Sequence, residues 1–299
     1  MNGMIRTDLA LEAEALWRES AGGTGALAGV RATARSEEGF RVTTVEVLDE
    51  RGEAALGKPR GSYVTVELDA FIRREENAFP AACRVLAGAL RDLLGAVEGG
   101  VLVIGLGNRD ITPDAVGPDT VEHVMVTRHL KESLPEDFSG FRPVAALCSG
   151  VLGTTGIESS DLVRAVTERL RPAAVIAVDA LASREPSRLC RTVQIADTGI
   201  VPGSGVGNAR RALNRERLGV PVLAVGVPTV VDAATLTLDL AARAGAQLDP
   251  ASFGEAGRMI VTPREIDRQV RDVSKLIGYA INLALQDGLS IEDVDLFLS

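Results

Sequence analysis

Six short apolar runs constrain this chain more than any other feature: VLVIG, VAALC, AAVIAVDA, RTVQIA, PVLAVGV and RMIVT, all between residues 101 and 262. None alternates with polar residues, so each reads as a strand buried on both faces, as in a parallel sheet. Segments of helical periodicity lie between several of them: GPDTVEHVMVTRHL, GIESSDLVRAVTERL, VDAATLTLDLAARAG and PREIDRQVRDVSKLIGYAINLALQ. Strand-helix alternation predicts an α/β fold, a mostly parallel sheet with helices on both faces. Upstream, RVTTVEVLDERGEAALGKPRGSYVTVELDAF reads as two alternating strands about a turn-rich link, a β-hairpin excursion over residues 40–69. RREENAFPAACRVLAGALRDLLGAV then reads as a helix with Pro80 in its first turn. No repeat and no long linker interrupts the chain, which predicts a single domain over 1–299.

Two helix starts carry local signals. Thr155 and Glu158 fit a capping box, in which each side chain satisfies a free backbone N–H. Thr262 before Pro263 reads as the N-cap of the last long helix.

Composition removes several function classes. The formal net charge is -9, which argues against a nucleic-acid groove, since that needs clustered Lys and Arg. No stretch of about 20 apolar residues exists to span a membrane. The N-terminus MNGMIRTDLALEAEALW has no apolar core and does not read as a secretory signal. Cys83, Cys148 and Cys190 are odd in number and widely spaced. They read as buried thiols in a reducing cytoplasm rather than as disulfides or a zinc site. His123 and His129, six residues apart in one expected helix, face different sides and cannot chelate one metal together. With two histidines in the chain, acid–base chemistry leans on carboxylates.

In open α/β sheets the functional groups collect beyond the carboxyl ends of the strands. The first such loop, GLGNRDITPDAVGP, starts like a dinucleotide fingerprint but has Asp110 where the third glycine belongs. Asp110 and Asp114 would also repel a pyrophosphate, so the glycines read as a tight turn. Asp114 reads either as a turn or helix cap or as a carboxylate aimed into a cleft. Asp179 ends the buried run AAVIAV, where an ionised carboxylate is costly without a partner or purpose. It reads either as a cap for the segment after it or as the second member of a carboxylate pair. Two close carboxylates cannot both ionise easily, and such a pair can supply one base and one acid. The triplet Asp197-Thr198-Gly199 matches the aspartic-protease letters once, in an α/β pattern, and reads as coincidence. The glycine-rich PGSGVGN lacks the Lys-Ser/Thr of a phosphate loop, and no G-x-S-x-G elbow supports a serine hydrolase.

Taken together, these loops resemble the germination protease family of spore-forming bacteria. The resemblance is carried by RTDLALEA (6–13), LGKPRGSYVTVE (56–67), GLGNRDITPDAVGP (105–118) and GVLGTTGIES (150–159). It continues through AVIAVDALASR (174–184), DTGIVPGSGVGNAR (197–210), GVPTVVDA (226–233) and IVTPREID (260–267). It implies a fold similar to hydrogenase maturation proteases and an atypical aspartic endopeptidase without a cofactor. It also implies small acid-soluble spore proteins as substrate, cut next to a glutamate, and a cytoplasmic site of action in the forespore or spore core. The family is typically a homotetramer made as a zymogen. Its two proposed catalytic aspartates match Asp114 and Asp179 here, with Asp110 a second choice. Only MNGM precedes Ile5, so residues 1–4 read as a propeptide remnant.

On this reading a water between Asp114 and Asp179 attacks the scissile carbonyl. Thr155 and Gly156, at the expected helix start, are placed as oxyanion or loop support. Two rivals remain: a metal held by Asp114, Asp179 and a histidine, and a binding protein without turnover in which both aspartates only cap turns.

Overall fold

Nine strands form one sheet in the computed structural model, which describes residues 5–20, 27–207 and 209–299. In chain order they are β1 (Val30–Glu37), β2 (Phe40–Val47), β3 (Gly61–Glu67), β4 (Val101–Leu106) and β5 (Val144–Gly150). β6 (Ala174–Ala182), β7 (Thr192–Ala196), β8 (Val222–Asp232) and β9 (Ile260–Val261) follow. Across the sheet the order is β1-β2-β3-β7-β8-β6-β4-β5, with β9 paired to β8. Residues 1–4, read as a propeptide remnant, lie outside the described residues.

The α/β expectation holds. Four of the apolar runs supply β4, β5, β6 and β8, which pair with one another in parallel. RTVQIA becomes β7, antiparallel to both β3 and β8, and RMIVT supplies the short antiparallel β9. A parallel return needs a crossover of about a dozen residues or more. Residues 183–191 between β6 and β7 hold only the short turn Pro186–Arg188, so the chain reverses.

The two strands expected over 40–69 form β2 and β3 and pair antiparallel. β3 also pairs with β7, which makes the hairpin continuous with the main sheet. Their link contains a helix, Glu50–Leu56, started by the Asp49 carboxylate accepting the Arg51 and Gly52 N–H groups. β1 extends this wing as an edge strand, exposed through most of its length.

The core lies on both faces of the sheet. Val101 and Val103 of β4 and Ile176 and Val178 of β6 join the helices Ala78–Leu94 and Ile266–Leu285 on one face. Leu102, Ile104, Val175 and Ala177 pack on the other with Val163 of the helix Ser159–Leu170. Successive residues thus point into two apolar layers, which is why these strands read as unbroken apolar runs.

Several local readings change. GPDTVEHVMVTRHL forms two short helices, Val116–Val121 and Arg128–Ser133, rather than one. Thr155 and Glu158 form no capping box. The helix begins at Ser159 with Glu158 at its N-cap, whose side chain makes no capping hydrogen bond. Thr155 instead closes the four-residue helix Leu152–Thr155, its Oγ1 donating to the Val151 carbonyl at 3.0 Å. Thr262 does not cap the last long helix, which starts at Ile266. Its hydroxyl donates to the Thr229 carbonyl at 2.9 Å. In both cases a nearby or tertiary acceptor outcompetes the local cap. Cys83 and Cys190 are buried as expected, but Cys148 is exposed, because β5 is the outer strand of the sheet.

Candidate active site

A cleft of about 540 Å³ opens at the carboxyl ends of the parallel strands and contains both Asp114 and Asp179. Its walls come from the loops after β4 and β5, the ends of β6 and β8, and residues 201–205 of the glycine-rich loop. The N-terminal residue Asp8 also lines it.

Asp179 sits within β6, flanked by β4 and β8, and is 4% exposed. One carboxylate oxygen accepts the Ala180 N–H at 2.9 Å. Burial pushes its pKa well above the usual aspartate range, and the charge of Asp114 pushes it the same way, as does Asp8. The Ala180 N–H opposes these effects without reversing them. Of the two carboxyls, Asp179 is the one that burial and neighbouring charge push furthest towards its protonated form.

Asp114 ends the short turn Thr112–Asp114, which Pro113 helps to start. Its carboxylate accepts the Asn108 N–H at 2.8 Å, and the Thr229 hydroxyl of β8 holds the Pro113 carbonyl at 2.6 Å. Asp114 is half-buried, and burial raises its pKa against the lowering effect of the Asn108 bond. The glycine at 107 is required by this turn. Its φ is +106°, and a Cβ there would lie 2.1 Å from the Asp114 carbonyl oxygen. Gly107 thus folds the loop back onto Asp114 as a tight turn, whereas Gly105 lies within β4, where a Cβ would meet the Gly117 carbonyl.

The remaining sequence candidates fall elsewhere. Asp110 is exposed, donates its N–H to Asn108 Oδ1 at 3.0 Å, and does not line the cleft. Thr155 and Gly156 are exposed and also stand outside it. Their N–H groups are already spent on the carbonyls of Val151 and Leu152, so neither is free to receive an oxyanion. The cleft wall nearby is Val151–Gly153. Asp197 of the D-T-G triplet accepts the Ser62 N–H at 2.8 Å and ties the end of β7 to β3.

The structure brings into the cleft residues that the sequence had not placed in a site. Asp8 brings a third carboxylate into the cleft, and Glu158 a fourth. Arg210 is the one cation among the described lining residues and faces Glu158 at 3.9 Å. Asp8 lies in the quoted RTDLALEA segment, but no periodicity or spacing marks it as part of a site built far downstream.

His123 packs against Tyr279 with ring centroids 6.3 Å apart, and neither histidine lines the cleft. Among the described residues no three His, Cys, Asp or Glu side chains are arranged to hold an ion. What the cleft offers is two carboxyls with raised pKa values, Asp179 the more strongly shifted, and groups whose pKa values are set apart are suited to moving protons to and from a bound substrate.

The family model described as germination protease matches residues 8–242. The germination protease of Caldanaerobacter subterraneus subsp. tengcongensis is 41% identical, over 98% of this chain and 98% of its own. Those of Bacillus cereus and Oceanobacillus iheyensis are 46% and 47% identical, each over 79% of this chain and 65% and 66% of their own. Among solved structures, a [NiFe] hydrogenase maturation protease, HycI from Thermococcus kodakarensis, shares 18% identity. It covers 64% of this chain and 98% of its own, with a TM-score of 0.37. The chain belongs to the germination protease family.

Proposed function

We propose that this chain is an endopeptidase that starts the breakdown of small acid-soluble spore proteins during germination. The observation that carries the reading is the placing of Asp114 and Asp179 in one cleft, where burial raises both pKa values and the charge of Asp114 raises that of Asp179 further. In the proposed reaction Asp114 takes a proton from a water as that water attacks the scissile carbonyl. Asp179 gives its proton to the carbonyl oxygen or the departing amide nitrogen. No metal takes part in any step. The enzyme acts in the forespore or spore core, assembles as a homotetramer and is held as a zymogen until germination. Family membership and the relatives' shared name support this wider role.

The test is incubation of the purified protein with a small acid-soluble spore protein, the fragments being read by mass spectrometry with and without a strong chelator. Cleavage beside a glutamate, unchanged by the chelator, is the expected result. Clear binding without cleavage would favour the binding-protein reading, and loss of cleavage in chelator would restore the metal.

A further inference from the structure

The mechanism above leaves two features unused: the N-terminal segment that enters the cleft and the glycine-rich loop that meets it. Residues Arg6–Ala10 cross the sheet ends as a strap with anchors along its length. The Arg6 N–H donates to Thr235 Oγ1 at 3.2 Å, and the Arg6 guanidinium lies 3.7 Å from the Asp232 carboxylate. Lys58 Nζ donates to the Asp8 carbonyl at 2.9 Å. Gln194 takes the Ala10 N–H on its oxygen at 2.7 Å and donates its amide to the same Asp8 carbonyl at 3.2 Å.

Asp8 is the point where the strap meets the chemistry. Its N–H donates to the Ala182 carbonyl at 2.9 Å, and one carboxylate oxygen accepts the Ala182 N–H at 2.9 Å. Ala182 lies three residues beyond Asp179 on β6, where the pairing with β8 shifts register. The other carboxylate oxygen accepts the Ser204 hydroxyl at 2.7 Å. Only glycine fits next to Ser204 in this arrangement, since a Cβ on Gly205 would lie 2.0 Å from the Asp8 carboxylate. The glycine-rich loop is therefore shaped to close on Asp8.

We propose that Asp8 is a positioning residue of the peptidase site: by bridging the Ala182 N–H and the Ser204 hydroxyl it sets where Asp179 stands against the substrate. This rests on the reading of Asp114 and Asp179 as the reacting pair. The charged groups that share the cleft with Asp179 are Asp8 from the strap, Asp114 from the turn after β4, and the Glu158–Arg210 pair. β4 and β8, its neighbours in the sheet, present the uncharged Leu106, Thr229 and Val230. Asp8 and Asp114 are the two whose charges hold the Asp179 proton in place.

The test compares Asp8→Asn, Asp8→Ala, Ser204→Ala and Asp179→Asn by the pH profiles of kcat and KM on a spore-protein substrate. Asp8→Ala is expected to lower kcat on the order of 100-fold with a smaller change in KM, as for a misplaced reacting group. Asp8→Asn keeps an acceptor for Ala182 but removes the charge, so the alkaline limb moves to lower pH. Ser204→Ala keeps the charge and is expected to lower kcat with the limb in place. A strap that only stabilises the fold would lower the thermal midpoint and leave the limb where it is. Normal kcat and an unmoved limb in Asp8→Asn, with Asp179→Asn inactive, would overturn the proposal. Full activity in Asp179→Asn would instead remove the reacting pair on which it depends. If Asp8→Ala does not fold, the Asn and Ser204 variants decide the matter.

Discussion

Burial keeps the Asp179 carboxyl protonated at pH values where an exposed aspartate is ionised, and this couples the site to stability. In the unfolded chain the group titrates at about 3.9. Between that pH and its raised folded value the native state binds more protons than the unfolded state. Folding stability from this group is then complete below the unfolded pKa and is lost as pH rises through the folded one. Asp179→Asn removes that loss, so the variant is expected to melt higher than the parent at neutral pH, by a margin that grows with pH. Thermal midpoints measured across pH check this; parallel curves for the two proteins would contradict it. The same assignment shapes the rate. On the proposed reaction, activity is expected to rise as pH passes the Asp114 pKa, itself raised by burial, and to fall as Asp179 loses its proton. The pH dependence of kcat/KM is expected to be a bell with both limbs displaced upward from an ordinary carboxylate. A single limb would mean that one aspartate does not titrate in the reaction.

At the scale of elements, the loop after β4 stores the site's precision in Gly107. Substituting Ala places a side chain at φ +106° and against the Asp114 carbonyl. Gly107→Ala is expected to cost roughly 1–3 kcal/mol of stability and to lower kcat by displacing Asp114. Denaturant unfolding beside a kinetic assay checks both, and a variant with unchanged kcat would detach Asp114 from the chemistry. The parallel strands were legible in the sequence because burial on both faces erases polar alternation, as at Leu102–Ile104 and Val175–Ala177. The helix starts were less so. Thr155 and Thr262 carry the letters of caps, yet their hydroxyls bond to Val151 and Thr229, a choice that local spacing does not encode. β1 escaped notice because an exposed edge strand, VRATARSE, has no apolar face to announce it. The direction of β7 was hidden for a different reason: an apolar run has the same pattern read either way.

For the whole molecule, one apolar cluster runs from Phe40 and Val42 of β2 to Val144 of β5, beneath both the antiparallel wing and the parallel half. A shared core favours cooperative unfolding. Trp17 packs on the far side of the wing, so its fluorescence reports that half, whereas cleavage reports the cleft. The two signals are expected to be lost at the same denaturant concentration, and separate midpoints would divide the chain into two folding units. At this scale the meeting of Asp114 and Asp179 in one cleft was legible, since one follows a buried strand and the other closes an apolar run, although β6 continues past Asp179 to Ala182. Asp8 was not, because it reaches the cleft through a tertiary strap held by Lys58, Gln194 and Ala182 rather than through any strand end.

The most direct measurement is the turnover of a small acid-soluble spore protein by Asp114→Asn and by Asp179→Asn, beside the parent and with folding verified for each. The expected result is a loss on the order of 10²–10⁴-fold in kcat for either variant with little change in binding. Cleavage at the parent rate by either one would contradict the account of paired aspartates.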